Sequence, residues 1–96
     1  LYTYQGLAYF HKGMFDEGLS ALKKGLTISP NSIDLRTRLA ACYSEMGKED
    51  EARAEVAAVL KLNPNFSLGY LAKLAPYKNQ ADLDRYLDAL RKAGLK

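Results

Sequence analysis

Leu26-Thr27-Ile28-Ser29-Pro30-Asn31 returns 34 residues later as Leu60-Lys61-Leu62-Asn63-Pro64-Asn65. A fixed interval of that size is the mark of a stacked helical-hairpin array. Working outward at the same offset, Tyr9 pairs with Tyr43, Gly13 with Gly47, and Asp16-Glu17 with Asp50-Glu51. Gly6 falls opposite Ala40, Ala8 opposite Cys42, Gly18 opposite Ala52 and Leu22 opposite Val56. The agreement runs through the whole period, so the chain holds two copies of one unit.

Each unit reads as two helices. The first spans roughly Tyr2 to His11, and Ile33 to Met46 in the second copy; Gly13 and Gly47 supply the turn that ends it. Acids then open the second helix, Asp16-Glu17 and Asp50-Glu51, where negative charge suits the positive end of the helix dipole. Leu19, Leu22 and Leu26 give that helix one apolar stripe, repeated by Ala52, Val56, Val59 and Leu60. Pro30 and Pro64 forbid its continuation, and Ser32 and Ser67 are placed to cap the helices that follow. Gly18 and Gly25 inside a helix cost about 1 kcal/mol each relative to alanine, which implies a close crossing that needs them.

Gly6-Leu7-Ala8-Tyr9-Phe10-His11-Lys12-Gly13-Met14-Phe15-Asp16-Glu17-Gly18, with Leu22, Gly25 and Pro30, resembles the tetratricopeptide repeat consensus. The second unit resembles it through Leu39, Ala40, Tyr43, Gly47, Ala52, Val59 and Pro64. Gln5 and Glu49 depart from the pattern, replacing an apolar and an aromatic residue. The resemblance implies an all-α superhelix: repeat 1 over residues 1–32, repeat 2 over 33–66, and a degenerate third repeat or capping helix pair over 67–96.

In the third pair, Pro76 ends the first helix near Leu74, and Asn79 and Asp82 have N-cap spacing for a second one. Leu83, Tyr86, Leu87 and Leu90 form an i, i+3, i+4, i+7 stripe, and Gly94 is a stop. A cap of this kind is expected to cover the last open face of the stack. Asn63-Pro64-Asn65-Phe66-Ser67-Leu68, Leu74-Ala75-Pro76-Tyr77-Lys78 and Ala81-Asp82-Leu83-Asp84-Arg85-Tyr86-Leu87-Asp88-Ala89-Leu90-Arg91-Lys92-Ala93-Gly94-Leu95 also resemble the C-terminal repeats of bacterial multidomain proteins that carry a class III adenylate/guanylate cyclase domain. That resemblance implies a signalling parent whose catalytic domain lies upstream. The chain opens at Leu1 rather than methionine and reads as part of something longer.

Composition excludes several classes. The net charge is +3, and residues 67–96 hold all of the excess, too sparse for the dense basic stripe of a nucleic-acid binder. No apolar run reaches the ~20 residues that span a bilayer, so no membrane role is expected. Cys42, the only cysteine, permits no internal disulfide and suits a reducing cytoplasm. His11 and Cys42 make neither a catalytic pair nor a zinc site, and the paired acids read as first-turn surface. No cofactor, metal or catalytic residue is expected, and the segment reads as non-enzymatic.

In tetratricopeptide proteins the first helices line a concave groove. The resemblance carries that role to Thr3, Tyr4, Leu7, Phe10 and His11, then to Asp34, Thr37, Arg38, Ala41, Ser44 and Glu45. The cap adds Leu68, Leu71 and Lys78. Family members that bind chaperones clamp a carboxylate with lysine and asparagine; here Thr3 and Leu7 stand at two of those positions and Ala41 near another. The expected ligand is a protein or peptide segment, the alternative being a second copy of the chain in a homodimer.

Overall fold

The computed structural model describes residue 10, residues 13–74 and residues 80–96. Among these every element is helical: α1 (Phe15–Ile28), α2 (Ile33–Glu45), α3 (Glu49–Leu62), α4 (Leu68–Leu74) and α5 (Gln80–Lys92). The expected first helix, Tyr2 to His11, lies outside the described residues except for Phe10, which is helical.

The helix ends follow the expected chemistry. Gly47 has φ +75°; its N–H donates to the Ser44 carbonyl at 3.1 Å, and the Lys48 N–H reaches back to the Tyr43 carbonyl at 2.9 Å. These are the paired bonds of a Schellman stop, which needs a residue at positive φ. Gly94, φ +101°, ends α5 in the same way, with the Gly94 N–H on the Arg91 carbonyl and the Leu95 N–H on the Leu90 carbonyl. Ser32 and Ser67 are caps, their Oγ atoms accepting from the Leu35 and Tyr70 N–H at 3.2 and 3.1 Å. No side chain caps α1 or α3; their first turns carry Asp16 and Glu17, and Glu49, Asp50 and Glu51, instead.

Helix α2 is the hub, with α1, α3 and α5 all packed on it. Small residues sit where helices approach: Gly18 and Gly25 are buried in α1, Ala40 and Cys42 in α2, and Ala52 in α3. Leu19, Leu22, Leu35, Leu39, Val56 and Val59 fill the space between. Arg36 ties the layers together from outside: its Nε and Nη2 donate to the Pro30 carbonyl at 3.1 and 2.9 Å, and its Nη1 meets the Glu55 carboxylate at 3.3 Å.

The C-terminal pair is the part whose position differs from expectation. Rather than closing the far end of the stack, α4 packs chiefly on α5, and α5 crosses back onto α2. The reason is visible at equivalent repeat positions. Leu19 and Ala21 are buried in α1, whereas their counterparts in α3 are Arg53, exposed, and Glu55, half-buried in its ion pair with Arg36. Burying Arg53 beneath another helix would cost its hydration. The apolar stripe of α5 therefore goes to α2, and the body is nearly isotropic at 29 × 27 × 25 Å.

Ala52 has no exposed surface. Ala52→Leu therefore overfills the crossing of α2 and α3 and is expected to destabilise by roughly 1–3 kcal/mol; an unchanged Tm would refute this register. Cys42 is also fully buried, and desolvation, with a smaller push from the Glu45 carboxylate, raises its thiol from 9.0 to about 12. The folded state thus holds this proton more tightly than the unfolded chain. The resulting stabilisation is complete below pH 9 and disappears between about 9 and 12. The pH dependence of urea unfolding over that window is expected to be steeper in the unaltered chain than in Cys42→Ala.

Candidate protein-interaction groove

Phe10 and Ser44 stand at the same repeat position, 34 residues apart. Thr37 and Ala41, four residues apart, share one flank of α2. Arg36 and Tyr43 share another, which is held by neighbours: Arg36 pairs with Glu55 of α3, and the Lys23 ammonium of α1 lies 5.9 Å from the Tyr43 ring centroid.

Helix α5 lies against Phe10. The Tyr86 ring of α5 meets Phe10 edge-on, with centroids 5.6 Å apart and planes at 73°. That geometry places a positive ring edge against a negative ring face. The Arg85 guanidinium lies 5.2 Å from the Phe10 centroid and adds a cation–π contact. Phe15, at the start of α1, completes the aromatic cluster at 5.8 Å from Phe10. Phe10, Thr37 and Ala41 are 1%, 3% and 0% exposed. Helix α5 packs on α2. Tyr86, Ala89 and Leu90 are its buried residues, and Ala93 and Leu95 continue the seal.

The expected groove residues therefore divide. Phe10, Thr37 and Ala41 are buried, and Phe10 meets Tyr86 of α5. Asp34 is exposed at the rim, and Arg38, Ser44 and Glu45 are half-buried. Thr37 turns its hydroxyl inward along its own helix, donating to the Ile33 carbonyl at 2.7 Å. Leu68 and Leu71 of α4 are half-buried and packed against the core. Thr3, Tyr4, Leu7 and His11, and Lys78 of the cap, lie outside the described residues.

Arg38 is the group that the packing leaves unsatisfied. Its Nε and Nη1 are buried with no hydrogen-bond partner among the described residues. A guanidinium taken out of water needs a carbonyl or carboxylate to offset the loss. Sequence reasoning marked Arg38 as a polar residue of the groove but missed Arg36, whose only sequence signal is its place six residues beyond Pro30. It also read the stripe on α5 without placing it in the groove.

No group of three or more His, Cys, Asp or Glu residues is gathered to hold a metal among the described residues. No described helix is long and apolar enough to cross a membrane.

The chain is similar to several known proteins. The chain is 30% identical to heat shock protein STI1 of Saccharomyces cerevisiae, over 96% of this chain and 16% of that protein. It is 26% identical to the TPR repeat-containing protein YpiA of Bacillus subtilis, over 95% of the chain and 22% of the relative. Hsp70-Hsp90 organizing protein 3 of Arabidopsis thaliana is 24% identical over 96% of the chain and 16% of its own length. The chain thus spans between 16% and 22% of these relatives. The tetratricopeptide repeat family matches residues 9–75, seven-tenths of the sequence. With that match joined to the paired helices, the glycine stops and the small residues at the crossings, the chain belongs to the tetratricopeptide repeat family.

Proposed function

We propose that this segment is a protein-interaction module whose concave side binds an amphipathic helix, and that it forms the C-terminal scaffold of a larger bacterial signalling protein with a nucleotide cyclase domain. The observation that supports the binding reading is the packing of α5 on α2 and of its Tyr86 ring on the buried Phe10. An amphipathic helix laid into an apolar groove is a recurrent mode of polypeptide recognition, read through anchors at i, i+3, i+4 and i+7. Tyr86, Ala89, Leu90 and Ala93 are such a set, and all four are buried.

Arg38 would supply a polar contact, pairing with a carboxylate or carbonyl on the bound segment. Thr3, Tyr4, Leu7 and His11 extend the same surface in this reading. The parent class rests on the resemblance of residues 63–95, and a cytoplasmic location accompanies it. The division into repeat 1 (1–32), repeat 2 (33–66) and a capping pair (67–96) is part of the same proposal. A heat-shock-protein segment, as the names of two relatives suggest, is a poorer fit, because Thr3, Leu7 and Ala41 provide no ammonium or amide for a carboxylate.

The test releases α5 and offers its equivalent in trans. Leu90 is fully buried, so Leu90→Asp places a charge in the core and drives α5 out of the groove. A fluorescent peptide of residues 80–96 should then bind this variant saturably with one-to-one stoichiometry, as read by anisotropy. In the unaltered chain the same peptide should bind more weakly, since only the fraction with an open groove can accept it. No binding to either form at millimolar peptide would overturn the reading.

A further inference from the structure

Arg38 carries a charge that the chain itself leaves unanswered. We infer that Arg38 is a carboxylate-binding site, suited to the Asp or Glu side chain of a bound polypeptide. This rests on the helix-binding reading above and deepens it, because it names the chemistry that the bound segment must present.

Three observations support it. First, the Arg38 Nε and Nη1 are buried and have no hydrogen-bond partner among the described residues. Arg36, two residues earlier on the same helix, is the contrast: its Nε and Nη2 donate to the Pro30 carbonyl and its Nη1 meets Glu55. Withdrawing charged N–H donors from water without an acceptor is costly, and such a group calls for an explanation. An acceptor that arrives with a ligand supplies one. Second, no acid of the chain takes the part. All 11 of its Asp and Glu residues are among the described residues, and none of them pairs with Arg38. Asp34 precedes Arg38 by four residues, the better order for an acid–base pair on a helix, and the two still do not meet. The carboxylate is therefore expected from outside the chain.

Third, the surroundings favour a single negative charge. Asp34, Arg38 and Glu45 fall on one face of α2 by helical spacing. Two flanking acids repel a doubly charged phosphate more strongly than a lone carboxylate. They also favour a ligand whose acid has Lys or Arg beside it. The planar guanidinium matches a carboxylate in shape, and a bond between the two ions is stronger than one between neutral groups. Arg38 as a whole is half-buried, so part of the residue is open to an approaching ligand.

The guanidinium can be watched directly. In the ¹⁵N-labelled chain the Arg38 Nε–Hε signal is assigned by its loss in Arg38→Gln, then followed as sodium acetate, chloride or phosphate is added at matched ionic strength. Acetate is expected to shift it saturably, with chloride and phosphate weaker. Helical peptides selected from a randomised library on the unaltered chain should be enriched in Asp or Glu at one position by roughly tenfold or more, the ratio set by a charged hydrogen bond. Selection on Arg38→Glu should enrich Lys or Arg there instead. Arg38→Met removes the unpaired charge and keeps an aliphatic stem, so its Tm should equal or exceed that of the unaltered chain while the preference for an acid disappears. An acetate response no greater than that of chloride or phosphate overturns the proposal. So does a clear fall of Tm in Arg38→Met, which would mean that the charge is already paired in the free chain. Peptides that bind the unaltered chain and Arg38→Gln equally, with no acid enriched, sink the carboxylate site and leave the helix-binding reading standing. Failure to select any peptide overturns the helix-binding reading, and the acetate titration then decides the site by itself.

Discussion

The surface of α2 has more apolar sides than its two neighbours can cover. Leu35, Leu39, Ala40, Ala41 and Cys42 are all buried in one core, and Thr37 is closed to water beside them. Burial stabilises at roughly 25 cal/mol per Å² of apolar surface, so an open flank on the central helix of a 96-residue chain would forfeit much of a small margin. Covering that flank is the constraint that orders the rest. Helix α5 packs on α2, and its Tyr86 and Arg85 lie against Phe10.

Where a repeat array stops is also a matter of surface chemistry. The stop is on α3, where Arg53 and Glu55 replace the Leu19 and Ala21 of α1. Arg36 makes that edge firm by bonding both the Pro30 carbonyl and the Glu55 carboxylate. The pair of contacts joins the inter-repeat turn to the last full helix, so the polar edge is tied to the backbone instead of being a loose charged rim.

Much of this was legible in the residues because the repeat states the same solution twice. The 34-residue interval implied the helix pairs, with Gly47 as a stop and Ser32 and Ser67 as caps; among the described residues the helix from Ile33, the Gly47 stop and both serine caps are present. The groove residues came from the family resemblance, and of these Phe10, Thr37 and Ala41 are buried. Their cover was not legible. The stripe through Tyr86 and Leu90 shows that α5 needs an apolar partner, but periodicity carries no address. A reading that stacks each pair on its predecessor sends α5 to α3. Only the exposed Arg53 argues otherwise, and a lone arginine in a helix is easily read as solvated surface. Arg36 escaped notice for a related reason, since its carbonyl partner is backbone and leaves no mark in the sequence.

The account depends most on α5 shielding Thr37 and Ala41 from water. In a Cys42→Ser background, Ala41→Cys places a single thiol on that flank, and its rate of reaction with a small maleimide can be compared with the rate after adding Leu90→Asp. The thiol is expected to be protected at least a hundredfold while α5 is docked and to react readily once α5 is released. Fast labelling with α5 intact, at the rate of an exposed cysteine, would mean that the concave side is open and that the central packing described for α2 is wrong.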